Sequence, residues 1–472
     1  MPKALLLALL AVTGGLTLVL AYDQLFVEQS FGPSAVLVVS IVGCLFLALL
    51  VTFFLSGTRF RETTVRLWLV AISTTASYFL LDLVSGFFLI QPLSPPLVPD
   101  EFRHHKLVPN SHSRIQSRDF SYVQRVNNFG LRGRDVELNK PVGTYRILML
   151  GDSFTMGKGV QDNETFSVLL ETSLNRTLAG CGGNRVEVLN AGVDGYAPIL
   201  SFIQLTRELQ PVMPDLVVLN LDMNDLAGEA AYRRGAVKGP NGEVLAVPLV
   251  PGKASPIDRI RSWSERHLFF TRALLFYVNE LFDYRDIRVV VTQANPEVLA
   301  HTLSHDTDPR EDQWRNLFDS VVKIQTYAEE HGIEFLLTTY PQGHQVNEHE
   351  WIPGRYSFVP EGSVVSDRSV DTISQFTAGE GIHFLSLFPD FRAYHGEEAL
   401  YFPYDGHWTR VGHQVMAGRL EKYMLDRYSG HWCRSLSSPL RKEPELGQNS
   451  RLPHLVSSPS AALGTRPKGA LR

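Results

Sequence analysis

Three apolar segments near the start of the chain constrain its fold more than any other feature. They span about residues 4–22, 34–55 and 67–90. Each has about 20 residues, the length that a helix needs to cross the hydrocarbon core of a bilayer. Three such segments in succession are not typical of buried helices in a soluble domain. The sequence therefore predicts a membrane anchor over residues 1–91, with about three transmembrane helices.

The charges between these segments predict their orientation. The loop before the third segment carries Arg59, Arg61 and Arg66, whereas the loop before the second carries no Lys or Arg. Basic loops stay in the cytoplasm, so the chain after residue 91 is expected outside it. In a second interpretation segment 4–22 is a cleaved signal peptide, and the large domain still lies outside. Either way the sequence predicts a multi-pass protein of the cell membrane.

One acidic residue, Asp82, interrupts the third apolar segment. An ionisable residue within a membrane span is a functional candidate by default. Asp82 also lies near the outer end of its predicted helix. A contact with a partner or a local polar adjustment is therefore an equal alternative to a role in transport.

After the anchor the pattern changes to that of a globular domain. Residues 92–144 are predicted to be a proline-stiffened linker and a pre-domain segment. From residue 145 to residue 428, apolar runs of strand length alternate with helical patterns, which predicts an α/β domain with a parallel sheet between helices. A long irregular insertion is predicted at 226–305 and a disordered tail at 429–472. The predicted strands are 145–150, 186–189, 216–221, 334–340 and 383–388, and the predicted helices are 164–178, 308–332 and 411–425.

Composition and cysteine usage narrow the partners. The net charge of the 472 residues is −5, so no basic field predicts a nucleic-acid partner. Cys44 lies in an apolar segment, a Cys181–Cys433 disulfide stays open, and no cysteine spacing indicates zinc. His344 and His349 have no further ligand at a recognisable spacing. No metal and no cofactor are expected.

Polar motifs follow the ends of predicted strands. Gly151-Asp152-Ser153 follows the first strand, Asn190-Ala191-Gly192 the second and Asp222-Met223-Asn224 the third, and Asp405-Gly406-His407 comes near the end of the domain. Ligand crevices of parallel sheets lie at the carboxyl ends of the strands, so these residues are expected to meet there. A serine with an Asp/His pair is the set that acyl transfer needs, because an imidazole must take the hydroxyl proton and a carboxylate must orient the imidazole.

These motifs resemble those of the SGNH (GDSL-type) hydrolase superfamily over about residues 146–428. The resemblance implies a three-layer α/β/α flavodoxin-like fold and an esterase whose triad is Ser153, Asp405 and His407. It implies an oxyanion hole made by the backbone N–H groups of Ser153 and Gly192 and by the side-chain amide of Asn224. The Asn-Phe-Gly-Leu-Arg-Gly stretch at 128–133 is similar to a segment common in membrane-attached bacterial members.

Two positions depart from the family pattern. The third motif usually begins with Gly, where this chain has Asp222, and the last is often Asp-x-x-His, where this chain has Asp-x-His. Gly406 permits the bend that the shorter form requires. His413, six residues after His407, is an alternative base.

The sequence therefore indicates an extracytoplasmic serine esterase. Its expected substrate is an acyl ester, with acetyl as the expected acyl group, on a cell-surface glycan or glycolipid. An O-acyltransferase that acylates a surface polysaccharide with the same triad is the first alternative, and it implies a multi-span membrane partner. A catalytically silent glycan-binding or assembly protein is the second.

Overall fold

The computed structural model describes residues 58–89, 97–180, 184–249, 263, 268, 270–271, 301–304 and 311–434. The predicted membrane segments 4–22 and 34–55 lie outside these residues. The strands are β1 (Val98–Asp100), β2 (His104–Lys106), β3 (Ser111–Gln116), β4 (Ser121–Val126), β5 (Thr144–Leu150), β6 (Arg185–Asn190), β7 (Leu216–Leu221), β8 (Val237–Lys238), β9 (Val244–Ala246), β10 (Glu334–Thr339) and β11 (His383–Ser386). The helices are α1 (Thr58–Leu89), α2 (Ser153–Met156), α3 (Phe166–Thr177), α4 (Pro198–Arg207), α5 (Asn224–Gly235), α6 (Glu311–Glu330), α7 (Gly343–Val346), α8 (Gly354–Phe358), α9 (Arg368–Glu380), α10 (Phe388–Arg392) and α11 (Arg410–Arg434).

A five-stranded parallel sheet with the order β11-β10-β7-β5-β6 forms the centre of the domain. Read from β6 and numbered along the chain, this is the order 2-1-3-4-5 of flavodoxin-like folds. Every residue of β5 is buried, as expected for a central strand that is covered on both faces. The strand order reverses beside β5, so a crevice is expected at its carboxyl end, next to that of β7.

Helices cover both faces of the sheet. Ile147 and Met149 of β5 belong to a hydrophobic cluster with α3 and α11, whereas Leu148 and Leu150 belong to a second cluster with α4, α6 and α9. Successive side chains of a strand point to opposite faces, so an unbroken apolar run supplies both cores. The arrangement is the α/β one that the sequence predicts, with three layers.

Two boundaries differ from the sequence prediction. Helix α11 continues to Arg434, past the predicted domain end at residue 428, because its last turns are held by the fully buried Trp432. The beginning of the predicted insertion forms α5, which packs on α4 and α6, followed by the β8–β9 hairpin. The alanines in α5 favour a helix, and its buried Leu226 joins the core. Most of the remaining insertion lies outside the described residues.

Helix α1 covers the third apolar segment. Among the described residues it is the one helix long and apolar enough to cross a membrane, over Trp68–Gly86. Large apolar side chains along this stretch are exposed, Leu80 by 65%. The three arginines predicted to form a loop lie in the first turns of the helix instead.

Asp82 of α1 is buried against the insertion. Its carboxylate accepts hydrogen bonds from the backbone N–H groups of Phe270 and Thr271 and from the Thr271 hydroxyl. These bonds favour the sequence interpretation in which Asp82 makes a local polar contact. The contact is with the protein's own chain.

The pre-domain segment folds into two hairpins, β1–β2 and β3–β4. After β4 the chain turns sharply, because the Asn127 side chain accepts hydrogen bonds from the backbone N–H groups of Phe129 and Leu131. Gly130 takes the positive φ of 74° that this turn requires. The turn directs Arg132 toward the end of β5.

Candidate active site

Ser153 is the first residue of α2, directly after the sharp turn that follows β5. A side chain at Gly151 would meet the Thr155 Oγ1 atom at 2.2 Å, so this turn requires glycine. Asp152 caps the short helix, since its Oδ1 atom accepts the Phe154 N–H at 2.9 Å. The serine is therefore presented at the carboxyl end of β5 by a rigid turn, and it is 4% exposed.

His407 and Asp405 reach Ser153 from the loop before α11. The His407 Nε2 atom lies 2.7 Å from the Ser153 Oγ atom. His407 Nδ1 is hydrogen-bonded to Asp405 Oδ1. A carboxylate only accepts, so Nδ1 carries the proton and Nε2 is free to accept the serine hydroxyl. The imidazole is fully buried, with its ring centroid 4.6 Å from that of Phe154.

The electrostatics of this pair suit an orienting carboxylate. Burial alone would raise the pKa of Asp405, but the charge of His407 and the hydrogen bond to it outweigh burial and hold that pKa below its ordinary value. Asp405 therefore stays ionised beside the imidazole. Gly406 between them has a φ of 81°, and a side chain there would lie 2.9 Å from the Trp351 Nε1 atom. The short Asp-x-His spacing thus depends on glycine.

The three predicted oxyanion donors each follow a different strand of the sheet, Ser153 after β5, Gly192 after β6 and Asn224 after β7. Gly192 packs on the nucleophile turn so closely that a Cβ atom would lie 2.3 Å from the Met156 nitrogen. Its N–H donates to Asn190 Oδ1 at 3.1 Å. The Asn224 amide donates one N–H to Asp222 Oδ2 at 2.9 Å, which leaves its second N–H for another acceptor.

Asp222, the departure from the family pattern, holds this amide. Its buried carboxylate also accepts a hydrogen bond from the Gln342 side chain. Burial raises the pKa of Asp222, and burial together with the charge of Asp222 raises the pKa of Asp152 well above its ordinary value. Asp225 is affected in the same way. Carboxyl groups this close together repel one another when all are ionised, so this cluster favours a state in which it keeps a proton.

The other histidines considered from the sequence are engaged elsewhere. His413 stacks on Phe166, with ring centroids 6.0 Å apart, and its Nδ1 atom accepts the Phe166 N–H at 3.3 Å. Burial lowers the pKa of His413 to about 3. His344 Nε2 lies 2.7 Å from Thr302 Oγ1, and His349 is exposed. In the part of the chain that the structure describes, no group of three His, Cys, Asp or Glu residues could hold a metal ion.

Two residues important to the site were missed from the sequence. The buried Arg132 guanidinium donates to the backbone carbonyls of Met156 at 2.9 Å and Val160 at 2.6 Å, so it clamps the loop after Ser153. The sequence did contain a pointer to Arg132, since this residue belongs to the 128–133 stretch that is similar to a segment of membrane-attached bacterial members. Asp119 accepts hydrogen bonds from the backbone of the loop that carries Asp405, and no motif marked it.

Comparisons with known proteins give structural likenesses only. No protein-family model matches the chain, and neither does any curated protein. An acetyl xylan esterase is similar at 13% identity and a TM-score of 0.32, covering 59% of this chain and 98% of its own. A lipase/acylhydrolase from Enterococcus faecalis is similar at 15% identity and 0.31, covering 60% and 96%. A catalytic mutant of an acetylxylan esterase from Geobacillus stearothermophilus is similar at 12% and 0.31, covering 59% and 93%. At these identities and scores, the likenesses do not show the function of this chain.

Proposed function

We propose that this chain is a serine ester hydrolase of the SGNH (GDSL) type. The observation that carries the proposal is the continuous hydrogen-bonded line from Ser153 Oγ through the His407 imidazole to Asp405, at the carboxyl end of β5. A neutral hydroxyl is a weak nucleophile, and this line supplies both the base and the carboxylate that orients it.

The proposed reaction has two steps. Ser153 Oγ attacks the ester carbonyl carbon while His407 Nε2 takes the hydroxyl proton, and the ester C–O bond breaks as Nε2 returns that proton to the leaving alcohol oxygen. Water then attacks the acyl-enzyme with the same imidazole as base, which releases the acid and restores Ser153. Asp405 keeps the imidazole tautomer and stabilises the imidazolium in both steps.

Negative charge on the carbonyl oxygen needs donors in each step. The proposed donors are the backbone N–H groups of Ser153 and Gly192 and the second N–H of the Asn224 amide. The Gly192 N–H is now held by the Asn190 side chain, so it would be shared with or released to the substrate oxygen. Asp222 supports the proposed role of Asn224, because its carboxylate holds the amide by one N–H and leaves the other for the substrate oxygen.

The proposed location is the outer side of a membrane, with an acylated cell-surface glycan or glycolipid as the substrate and acetyl as the acyl group. The exposed apolar surface of α1 supports a membrane anchor. Cys433 is disulfide-bonded, and disulfides persist in oxidising compartments outside the cytoplasm. Asn184, which follows Cys181 closely in the sequence, donates to the Trp432 carbonyl oxygen at 2.8 Å, so the segments near the two cysteines are neighbours.

The proposed activity is tested with the full chain in detergent micelles. Wild type should release acetate from acetylated xylo-oligosaccharides and react with a fluorophosphonate probe, and Ser153→Ala should lose both by at least about a thousandfold. Ser201→Ala is the matched control, because Ser201 is also buried and its hydroxyl has no hydrogen-bond partner among the described residues. Transfer of acetyl to an added oligosaccharide in preference to water would favour the acyltransferase. No labelling of folded wild type would favour the silent binding protein.

The proposed location has its own test. A reporter fused after Val98 should be active only on the outer side of the membrane. Cys433 should resist alkylation in the folded or unfolded chain until a reductant is added. Cytoplasmic reporter activity, or free reaction of Cys433, would contradict the location and leave the esterase proposal standing.

A further inference from the structure

The pre-domain segment reaches the loop that carries Asp405. In the turn between β3 and β4, the Asp119 Oδ2 atom accepts hydrogen bonds from the backbone N–H of Tyr404 at 2.9 Å and from that of Asp405 at 2.6 Å. These groups are separated by 285 and 286 residues in the chain. One carboxylate oxygen thus holds two consecutive amides at the position of the proposed triad acid.

The neighbours of Asp119 hold the same loop. The Arg118 guanidinium lies 3.4 Å from the centroid of the Tyr404 ring, and the Phe120 ring centroid is 5.1 Å from that of Phe402. Three consecutive residues of one turn therefore contact one loop through a cation–π contact, a pair of hydrogen bonds and an aromatic contact. A chance surface contact would not be expected to use three consecutive residues of the turn.

The turn is itself rigid, so it can act as a support. The Asp119 N–H donates to Ser117 Oγ at 3.1 Å, and the Ser117 N–H donates to the Phe120 carbonyl oxygen at 2.9 Å. Burial raises the pKa of Asp119, and the two backbone hydrogen bonds oppose this rise. The Asp119 carboxylate is half-buried and lies close enough to Asp405 for their charges to interact. Two carboxylates this close repel each other, and the two backbone N–H groups that Asp119 accepts offset part of that repulsion.

We infer that Asp119 is a positioning residue for the esterase site. By holding the backbone N–H groups of Tyr404 and Asp405, it fixes the Asp405 carboxylate on His407 Nδ1. The inference rests on the proposed function, since it assigns Asp119 a role through Asp405. It makes the β3–β4 hairpin part of the catalytic unit, although the hairpin precedes the α/β domain in the chain. A displacement of the supported group by about 1 Å can cost about a hundredfold in rate.

Asp119→Ala in the full chain tests the inference, with 4-nitrophenyl acetate as substrate. The kcat value should fall about 10- to 100-fold with KM changed less than about threefold, because the variant disturbs the base and leaves the substrate contacts alone. Asp119→Asn should recover most of the lost rate, since its amide oxygen can accept the same two hydrogen bonds. Glu137→Ala, which removes an exposed carboxylate of the same segment, is the control and should leave both constants unchanged.

A double-mutant cycle separates positioning from general support of the fold. If Asp119 acts through Asp405, adding Asp119→Ala to Asp405→Asn should lower the fluorophosphonate labelling rate less than twofold further. A full additive loss in that background, or a folded Asp119→Ala with wild-type kcat, overturns the inference. If Asp119→Ala does not fold, Asp119→Ser removes the same hydrogen bonds and is measured in its place. Wild-type protein without any activity would refute the proposed function instead.

Discussion

Two buried histidines six residues apart offer a sharp test of the proposed base. His407 contacts Ser153, whereas His413 contacts Phe166, although both are fully buried and either could serve by sequence alone. We expect His407→Ala to abolish fluorophosphonate labelling and ester turnover. We expect His413→Ala to cost stability and to leave the labelling rate of the folded protein within a few-fold of wild type.

The magnitudes follow from the contacts that each change removes. His407→Ala removes the proton acceptor 2.7 Å from the Ser153 hydroxyl, and a loss of at least about a thousandfold corresponds to about 4 kcal/mol of activation free energy. His413→Ala leaves the buried Phe166 N–H without its acceptor, at about 1–3 kcal/mol, and opens a cavity at about 2 kcal/mol or more. The expected loss in the free energy of unfolding is about 3–5 kcal/mol.

The assay measures labelling rates over a range of pH together with denaturant unfolding of each variant. His413→Phe is the matched variant, because it fills the space beside Phe166 and lacks any base. Labelling retained by His407→Ala but lost by folded His413→Phe would move the base to His413 and refute the assignment.

Three further outcomes are expected. Burial lowers the pKa of folded His413 to about 3 from its ordinary 6.5, so the stability that neutral His413 gives above pH 6.5 is lost as the pH falls toward 3, by up to about 1.4 kcal/mol per pH unit. The free energy of unfolding of His413→Phe should therefore depend less steeply on pH in this window. Equal slopes for the variant and wild type would contradict the burial argument. Gly406→Ala should lower kcat at least tenfold and lower the free energy of unfolding by about 1–2 kcal/mol or more, because φ is 81° and the new Cβ would meet Trp351. Unchanged kinetics would show that the loop tolerates another backbone conformation. Arg132→Lys should lower the free energy of unfolding by about 2–3 kcal/mol and slow turnover, since one ammonium cannot reach all the carbonyls that the guanidinium holds. Wild-type stability of this variant would show that the contacts of Arg132 are dispensable.

Local pattern predicted most of the central elements. The strand predicted at 216–221 is β7 with the same bounds, and the run at 145–150 is β5 with one more residue. Such runs can be recognised in the sequence because a buried parallel strand is apolar at every position. Gly151-Asp152-Ser153 could be recognised for a related reason, since its glycine and serine form a turn that is local in the chain. Helix α5 at the start of the insertion could not be recognised, because strong apolar periodicity is lost after residue 226.

By itself the sequence determined the apolar segments, the α/β alternation and the residue types that acyl transfer requires, because each of these depends on neighbours within a few turns or strands of the chain. Only the tertiary structure decided which histidine meets Ser153, since that contact joins residues 254 apart and both candidates occur in one short segment. It also decided that the Asp222 carboxylate, which accepts a hydrogen bond from Asn224, accepts a second one from Gln342, and that Asp119 of the pre-domain segment accepts the backbone N–H of Asp405. The physical reason is that such contacts depend on strand order and on the packing of distant loops. No local pattern of residues encodes either.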